Sequence, residues 1–223
     1  MINVGREQAP ALQLLDSLTL GLYNYLNLIG QFVTILTLNK TTEERMGALR
    51  SFFMTMIKKT KQLVFGALIA AMYVALTYLQ NFLIPNSASM AIQFRASEAL
   101  CVLAYFTPAA IPGLTVGCLL FNISFAGALP LDFLVGSFAT LLATGAMYLT
   151  RHFTVKSYPL LGMLMPALFN ALLVGWELSV YIGGGFWINA LYVAIGEGAV
   201  LVTLGSLLYY AMKNRGIART LDL

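Results

Sequence analysis

The sequence predicts an all-α integral membrane protein: a bundle of six transmembrane helices preceded by an additional N-terminal amphipathic helix. Three observations carry that reading. Only 10% of the 223 residues are charged while 59% are hydrophobic, and the mean hydropathy is +0.80. A soluble domain of this size carries about a quarter charged residues, so there is too little polar surface here to cover a water-exposed globule. Six apolar stretches recur between Pro, Gly and polar breaks, and the lysines and arginines gather at one set of their ends.

The stretch 62–84 (QLVFGALIAAMYVALTYLQNFLI) is long enough to cross, since about 20 apolar residues span the hydrocarbon core. Pro85-Asn86-Ser87 ends it, and a short polar loop runs to Gln93. A second helix is predicted from Ser97 to Phe106. The Thr107-Pro108 and Pro112-Gly113 breaks turn the chain into a third, ending near Phe125. Pro130 starts a fourth that runs to Leu149, before a loop carrying Arg151, His152 and Lys156. The fifth covers Pro159–Tyr181, Gly183-Gly184-Gly185 makes a flexible turn, and the sixth runs from Phe186 to Met212.

Six spans place both termini and the Arg151–Lys156 loop on one side of the membrane. Arg45, Arg50, Lys58, Lys59 and Lys61 precede the first span, and Lys213, Arg215 and Arg219 follow the last. The positive-inside rule therefore predicts cytoplasmic termini. The net charge of +4 reads as cytoplasmic flanks and not as a nucleic-acid surface, which needs a basic face interleaved with exposed aromatics.

Residues 1–57 read as an extension to a membrane domain of residues 58–223. Leu15, Leu18, Leu22, Leu26, Ile29, Val33 and Leu36 recur at helical spacing, with Asp16, Asn24, Asn27 and Gln31 elsewhere on the wheel. That pattern suits an amphipathic interfacial helix. A seventh span is the second reading, because Asp16 is the only charge between Ala11 and Leu38. A start of translation at Met54 or Met56 is the third. Met56-Ile-Lys-Lys-Thr-Lys61 has the form of a cytoplasmic N-terminus, and its helix is too long for a signal peptide.

Charge inside a span costs about 2.5–3.5 kcal/mol on insertion scales, so each instance needs a reason. Between Leu63 and Tyr210 the acids are Glu98, Asp132, Glu177 and Glu197, and Arg95 is the one basic residue outside the Arg151–Lys156 loop. On this topology Arg95 and Glu98 open the second span, Asn122 lies near the end of the third, and Asp132 opens the fourth. Glu177 is near the end of the fifth, and Trp187 and Asn189 begin the sixth, with Glu197 about two turns deeper. Polar groups from five spans thus converge in the outer half of the bundle, as expected of a site loaded from outside. Carboxylates accept paired N–H donors, asparagine donates and accepts, and tryptophan or phenylalanine stacks on a flat ring. A small planar nitrogen heterocycle, cationic in part, fits that set, and the excess of acid disfavours an anion.

Each residue also has a plainer reading. Arg95 and Glu98, three apart on a helix, can neutralise each other. Asp132 follows Pro130 and is placed to cap a helix. Glu177 can be solvated near the interface, and Trp187 can anchor there. Glu197 has no sequence-local partner. On the first span, Ala67, Ala71 and Ala75 form a smooth stripe that permits close helix approach, within this bundle or against a partner.

Cys101 and Cys118 lie in apolar segments and read as buried small hydrophobes, and no metal-ligand spacing accompanies them. His152 reads as a solvated loop residue. With no GxxxxGK[ST], HExxH or GxSxG, the chain is expected neither to hydrolyse ATP nor to act as an enzyme, and no catalytic residue, metal or cofactor is assigned.

The stretch Gln93-Phe-Arg-Ala-Ser-Glu98-Ala-Leu, followed by Phe106-Thr-Pro-Ala-Ala-Ile-Pro-Gly113, resembles QueT proteins. So do Phe169-Asn-Ala-Leu, Trp187-Ile-Asn-Ala-Leu-Tyr192 and Gly196-Glu197. The resemblance covers about Lys58 to Lys213, and the N-terminal stretch has no counterpart in the family. It implies a six-helix S component of an energy-coupling-factor (ECF) transporter in a bacterial plasma membrane, binding its substrate at the outer face. It further implies docking onto a transmembrane coupling protein (EcfT) driven by two ATPase subunits, through an AxxxA stripe that matches Ala67, Ala71 and Ala75. The implied ligand is a 7-deazaguanine such as pre-queuosine-1, with a guanine-like edge and an aminomethyl cation. One of Glu98, Glu177 or Glu197 would take the N1–H and exocyclic amine and another acid the aminomethyl group, with Asn122, Asn170 and Asn189 reading the remaining edge.

Two other classes stand beside this one. A proton-coupled secondary transporter would use the buried acids as a relay, but such folds carry internal repeats and broken helices, and no convincing repeat is visible. A small intramembrane enzyme would use two carboxylates as acid and base.

Overall fold

A computed structural model gives the fold, and it describes residues 23–24, 26–35, 41–85, 94–125, 128–154 and 158–214. Leu15, Asp16, Leu18, Leu22 and Leu36 of the amphipathic run lie outside them, as do 86–93, Lys156, Arg215 and Arg219. The described residues are helical and contain no strand. In chain order they form α1 (Leu26–Ile35), α2 (Thr42–Leu83), a 3-10 segment (Ala96–Tyr105), α3 (Ala110–Ser124) and α4 (Asp132–Leu149). Then follow α5 (Leu160–Tyr181), α6 (Phe186–Val200), a π turn (Leu201–Gly205) and α7 (Ser206–Asn214). The chain divides into two compact units, Met1–Lys59 and Thr60–Leu223.

In the first unit, α2 begins at a capping box. The Thr41 backbone N–H donates to Glu44 at 3.2 Å and the Glu44 N–H to the Thr41 hydroxyl at 3.4 Å, so two otherwise orphaned donors are satisfied. Phe32 of α1 packs on Phe52 with ring centroids 5.6 Å apart.

The second unit is built inside out, as a bilayer requires. Four helices are long and apolar enough to cross a membrane: Thr42–Leu83, Asp132–Leu149, Leu160–Tyr181 and the run Phe186–Asn214. Their outward faces carry large apolar side chains such as Phe138, Leu168, Leu172, Leu191 and Ile195. Their inward faces carry small or polar ones: Ala139, Ala143, Thr140 and Thr144 on α4, and Ala171, Val174 and Gly175 on α5. Small residues let backbones approach where lipid supplies no hydrophobic driving force. A Cβ built on Gly113 of α3 would lie 2.6 Å from the Gly66 carbonyl oxygen of α2, and one built on Gly175 of α5 would lie 2.7 Å from Ala190 Cα of α6.

Three elements differ from the sequence reading: α2 begins at Thr42 where the first span is expected from 62, and two others depart from regular α-helix. Ala96–Tyr105 is a 3-10 helix where an α-helix over 97–106 is expected, and every residue from Ser97 to Ala104 is buried. An α-helix is held at 3.6 residues per turn by its i→i−4 backbone bonds, and this segment opens and closes on i→i−3 bonds, Glu98 N–H to the Arg95 carbonyl and Phe106 N–H to the Leu103 carbonyl, each at 3.0 Å. The tighter coil is thinner and longer, about 2.0 Å per residue, and suits a strand-like path through the middle of the bundle. The sixth stretch carries the π turn. Its buried residues Val193, Glu197, Leu201, Gly205 and Tyr209 recur every four positions. On an α-helix that row drifts by about 40° per step, and one widened turn takes out part of the drift.

Candidate functional site

The chain ends of the helices sort by chemistry. Lys61, Arg151 and Lys213 lie where α2 begins in this unit, just past the end of α4, and at the end of α7. The opposite end gathers the last turn of α3, the first turns of α4 and α6, and the last turns of α5. There and just beneath, Arg95, Glu98, Asn122, Asp132, Asn170, Glu177, Asn189 and Glu197 are all buried.

Glu98 sits in the 3-10 segment. One of its oxygens accepts from the Tyr73 hydroxyl of α2 at 2.6 Å and the other from the Cys101 thiol at 3.1 Å. Beside it, Thr77 donates to the Ser97 hydroxyl at 2.7 Å. Arg95 reaches across to Asp132, Nη2 to Oδ2 at 3.2 Å, with both side chains about as buried as the core. Asn122 donates to the Asp132 carbonyl at 2.9 Å, tying the end of α3 to the start of α4. Gly136 makes room: a Cβ there would fall 2.9 Å from Asn122 Nδ2 and 3.1 Å from Asp132 Oδ1.

Glu177 is fully buried, and neither of its carboxylate oxygens has a hydrogen-bond partner among the described residues. It lies close enough to Asp132 and Arg95 for their charges to interact. Glu197 shares a hydrogen bond with Asn170 through one oxygen, leaves the other without a partner, and lies within electrostatic range of Glu98. Asn189 donates to the Gly183 carbonyl at 3.0 Å, which closes the turn where Gly183 and Gly184 take φ of 87° and 80°, conformations open to glycine at no steric cost.

Several of the plainer sequence readings are corrected. Asp132 does not cap α4: the cap position is Leu131 and no side chain bonds there. Its carboxylate is turned to Arg95 because a buried guanidinium has greater need of it than a solvated helix end. Glu177 is not solvated. Trp187 is 78% exposed, its ring edge-on to Phe186. Ala67, Ala71 and Ala75 are exposed, so the stripe is not packing within this bundle. The adjacent row Gly66, Ala70 and Tyr73 makes the α2–α3 contact instead. Cys101 and Cys118 are buried free thiols, as expected.

Tyr73 and Cys101 were not singled out in the sequence. A tyrosine in mid-span whose hydroxyl must find a partner is the signal that marks Tyr73, and a position three after Glu98 marks Cys101. Phe125 and Phe133 are further additions. With Asn122, Leu129 and Pro130 they line a cavity of about 430 Å³, and Phe125 stacks on Phe121 with centroids 5.1 Å apart. No group of three or more His, Cys, Asp or Glu able to hold a metal occurs among the described residues.

The QueT transporter family model matches residues 63–214, most of the chain and the whole of this cluster. The chain belongs to the QueT transporter family. Membership makes this a multi-pass membrane protein with a transport role. No curated protein and no solved structure matches this QueT family chain. Four buried carboxyl groups and the Arg95 guanidinium thus share the polar end of this bundle.

Proposed function

We propose that this chain is the substrate-capturing S component of an ATP-driven ECF importer, with six spans and cytoplasmic termini in a bacterial plasma membrane. Its cargo is a queuosine precursor, a 7-deazaguanine such as pre-queuosine-1, taken up at the outer face. The observation that carries this reading is the buried, acid-rich cluster Arg95, Glu98, Asp132, Glu177 and Glu197 at the end of the bundle opposite Lys61, Arg151 and Lys213. Basic flanks mark the cytoplasmic side, which turns the cluster outward. A guanine-like edge offers the N–H groups that carboxylates accept, and an aminomethyl cation offsets the surplus of negative charge. Arg95, Glu98, Asn122, Asp132, Asn170, Glu177, Asn189 and Glu197 form the proposed binding region. Trp187 belongs at its rim, by the lipid interface.

A titration of the purified full-length protein with pre-queuosine-1, with guanine and riboflavin as controls, tests this. Selective binding of pre-queuosine-1 is expected. A folded protein that binds riboflavin as well as pre-queuosine-1, or binds neither, would break the assignment of cargo.

Delivery needs a second surface, and the Ala67, Ala71 and Ala75 stripe supplies it for docking on the coupling protein EcfT with its two ATPase subunits. The stripe is exposed and borders a shallow apolar groove of about 210 Å³ lined by Leu63, Gly66, Ala67, Pro112, Gly113 and Val116. Ala71→Trp is expected to leave substrate affinity unchanged and to reduce uptake in cells by about tenfold or more, the cost of one displaced helix contact. Comparing ligand titration with cellular uptake checks this. Unimpaired uptake would remove the stripe from the docking surface.

A further inference from the structure

The four buried acids are not equivalent, and the difference lies in which oxygens are already in use. Both oxygens of Glu98 are engaged, by the Tyr73 hydroxyl at 2.6 Å and the Cys101 thiol at 3.1 Å. The Tyr73 bond links α2 to the central 3-10 segment and the Cys101 bond lies within that segment, contacts the fold needs whether or not cargo is present. Glu177 is the reverse case. It is fully buried with both oxygens unpartnered among the described residues, and Asp132 Oδ1, Asn122 Oδ1 and Glu197 Oε2 share that condition. Buried polar atoms are nearly always bonded in native proteins, so four residues with orphaned oxygens at one end of a bundle require an explanation.

We propose that the acids divide the work: Glu177 holds the paired N–H groups of the cargo, helped by the free oxygens of Asp132, Asn122 and Glu197, while Glu98 is an internal brace. This rests on the reading of the cluster as the substrate site and names which acid meets the substrate. A carboxylate with two free oxygens matches two parallel N–H donors, as in bidentate pairing with a guanidinium or amidine edge. The open oxygens of Glu177, Asp132, Asn122 and Glu197 accept hydrogen bonds, and Ser137 Oγ of α4 both donates and accepts, a set that suits a donor-rich cargo. The cavity beside Asn122, lined also by Phe125 and Phe133, lies at this same end of the bundle.

The test compares Glu177→Gln with Glu98→Gln in the full-length detergent-solubilised protein, by titration with pre-queuosine-1 and by thermal unfolding without ligand. Glu177→Gln is expected to weaken binding by about 30-fold or more, the loss typical of one partner of a desolvated charged pair. Its unfolding midpoint should equal or exceed that of the wild type, because a buried carboxyl group without hydrogen-bond partners among the described residues is exchanged for a neutral amide of the same size. Glu98→Gln should lower the midpoint, as loss of a brace does, and weaken binding by clearly less than Glu177→Gln. The opposite pattern, with binding lost in Glu98→Gln at an unchanged midpoint and kept in Glu177→Gln, would overturn the division. If the wild type binds no pre-queuosine-1, the choice of cargo fails and the unfolding data alone decide. A raised or unchanged midpoint in Glu177→Gln beside a lowered one in Glu98→Gln then supports the division, and equal losses overturn it.

Discussion

Arg95→Met is expected to lower the unfolding free energy by about 3–5 kcal/mol, the cost of leaving a buried charge without its counter-ion. Arg95 and Asp132 are each 4% exposed and pair at 3.2 Å. With the guanidinium gone, Asp132 would stand in the protein interior next to Glu177, with Glu98 and Glu197 in the same field. The side-chain volume is nearly kept, so the loss measures charge and not a cavity. Replacing both partners, Arg95→Met with Asp132→Leu, is expected to recover more than half of the deficit, since an apolar pair of similar size needs no counter-ion. Thermal unfolding of the wild type, both single variants and the double variant forms a cycle whose coupling term reads this directly. Simple additivity of the two single losses would show that the ion pair does not hold the cluster together.

The same pair shows what the sequence made legible. Charge in an apolar chain is conspicuous, so Arg95, Glu98, Asp132, Glu177 and Glu197 stood out from composition alone, and the alternation of spans put them at one end. The structure adds the pairing, which sequence distance concealed. Arg95 has an acid three residues away in Glu98, yet its ion pair is to Asp132, 37 residues on. Local spacing favours the near partner only on a regular α-helix exposed to solvent, and Arg95 precedes a 3-10 segment in a packed interior.

Secondary structure was legible where the lipid imposes a period. α4 and α5 begin and end within a residue or two of the expected positions, because Pro130, Pro159 and the glycine turn punctuate them. The central segment was not legible as 3-10, since buried positions on every side carry no periodic signal. Nor was the π turn, which answers to a drift of the buried face that becomes visible only once that face is known. Trp187 offered two readings by its residue type, a stacking wall for the site or an interfacial anchor, and its 78% exposure is compatible with either. Tyr73 was missed for the complementary reason: surrounded by apolar residues in sequence, it gives no sign that its hydroxyl meets Glu98.

Gly175→Val is expected to cost about 3 kcal/mol, the upper end for overpacking a well-filled contact. The atoms a Cβ would meet are Ala190 Cα at 2.7 Å and the Ala190 backbone nitrogen at 2.9 Å, which cannot rotate away as a side chain could. Relief therefore requires α5 and α6 to separate. Glu177 is two residues beyond Gly175, and Asn189 adjoins Ala190, so the same separation moves two walls of the polar cluster. Gly175→Ala should cost less than Gly175→Val and still measurably more than zero. Gly198, also within α6, has no atom within 4 Å of a built Cβ. Gly198→Ala should therefore hold or raise stability, by as much as about 1 kcal/mol from helix propensity. The expected order of unfolding midpoints is Gly198→Ala at or above wild type, then Gly175→Ala, then Gly175→Val, with substrate affinity falling in the last two. Equal midpoints for Gly175→Val and Gly198→Ala would mean that the α5–α6 contact is looser than the crossing at Gly175 requires, and the placement of Glu177 and Asn189 would lose its structural basis.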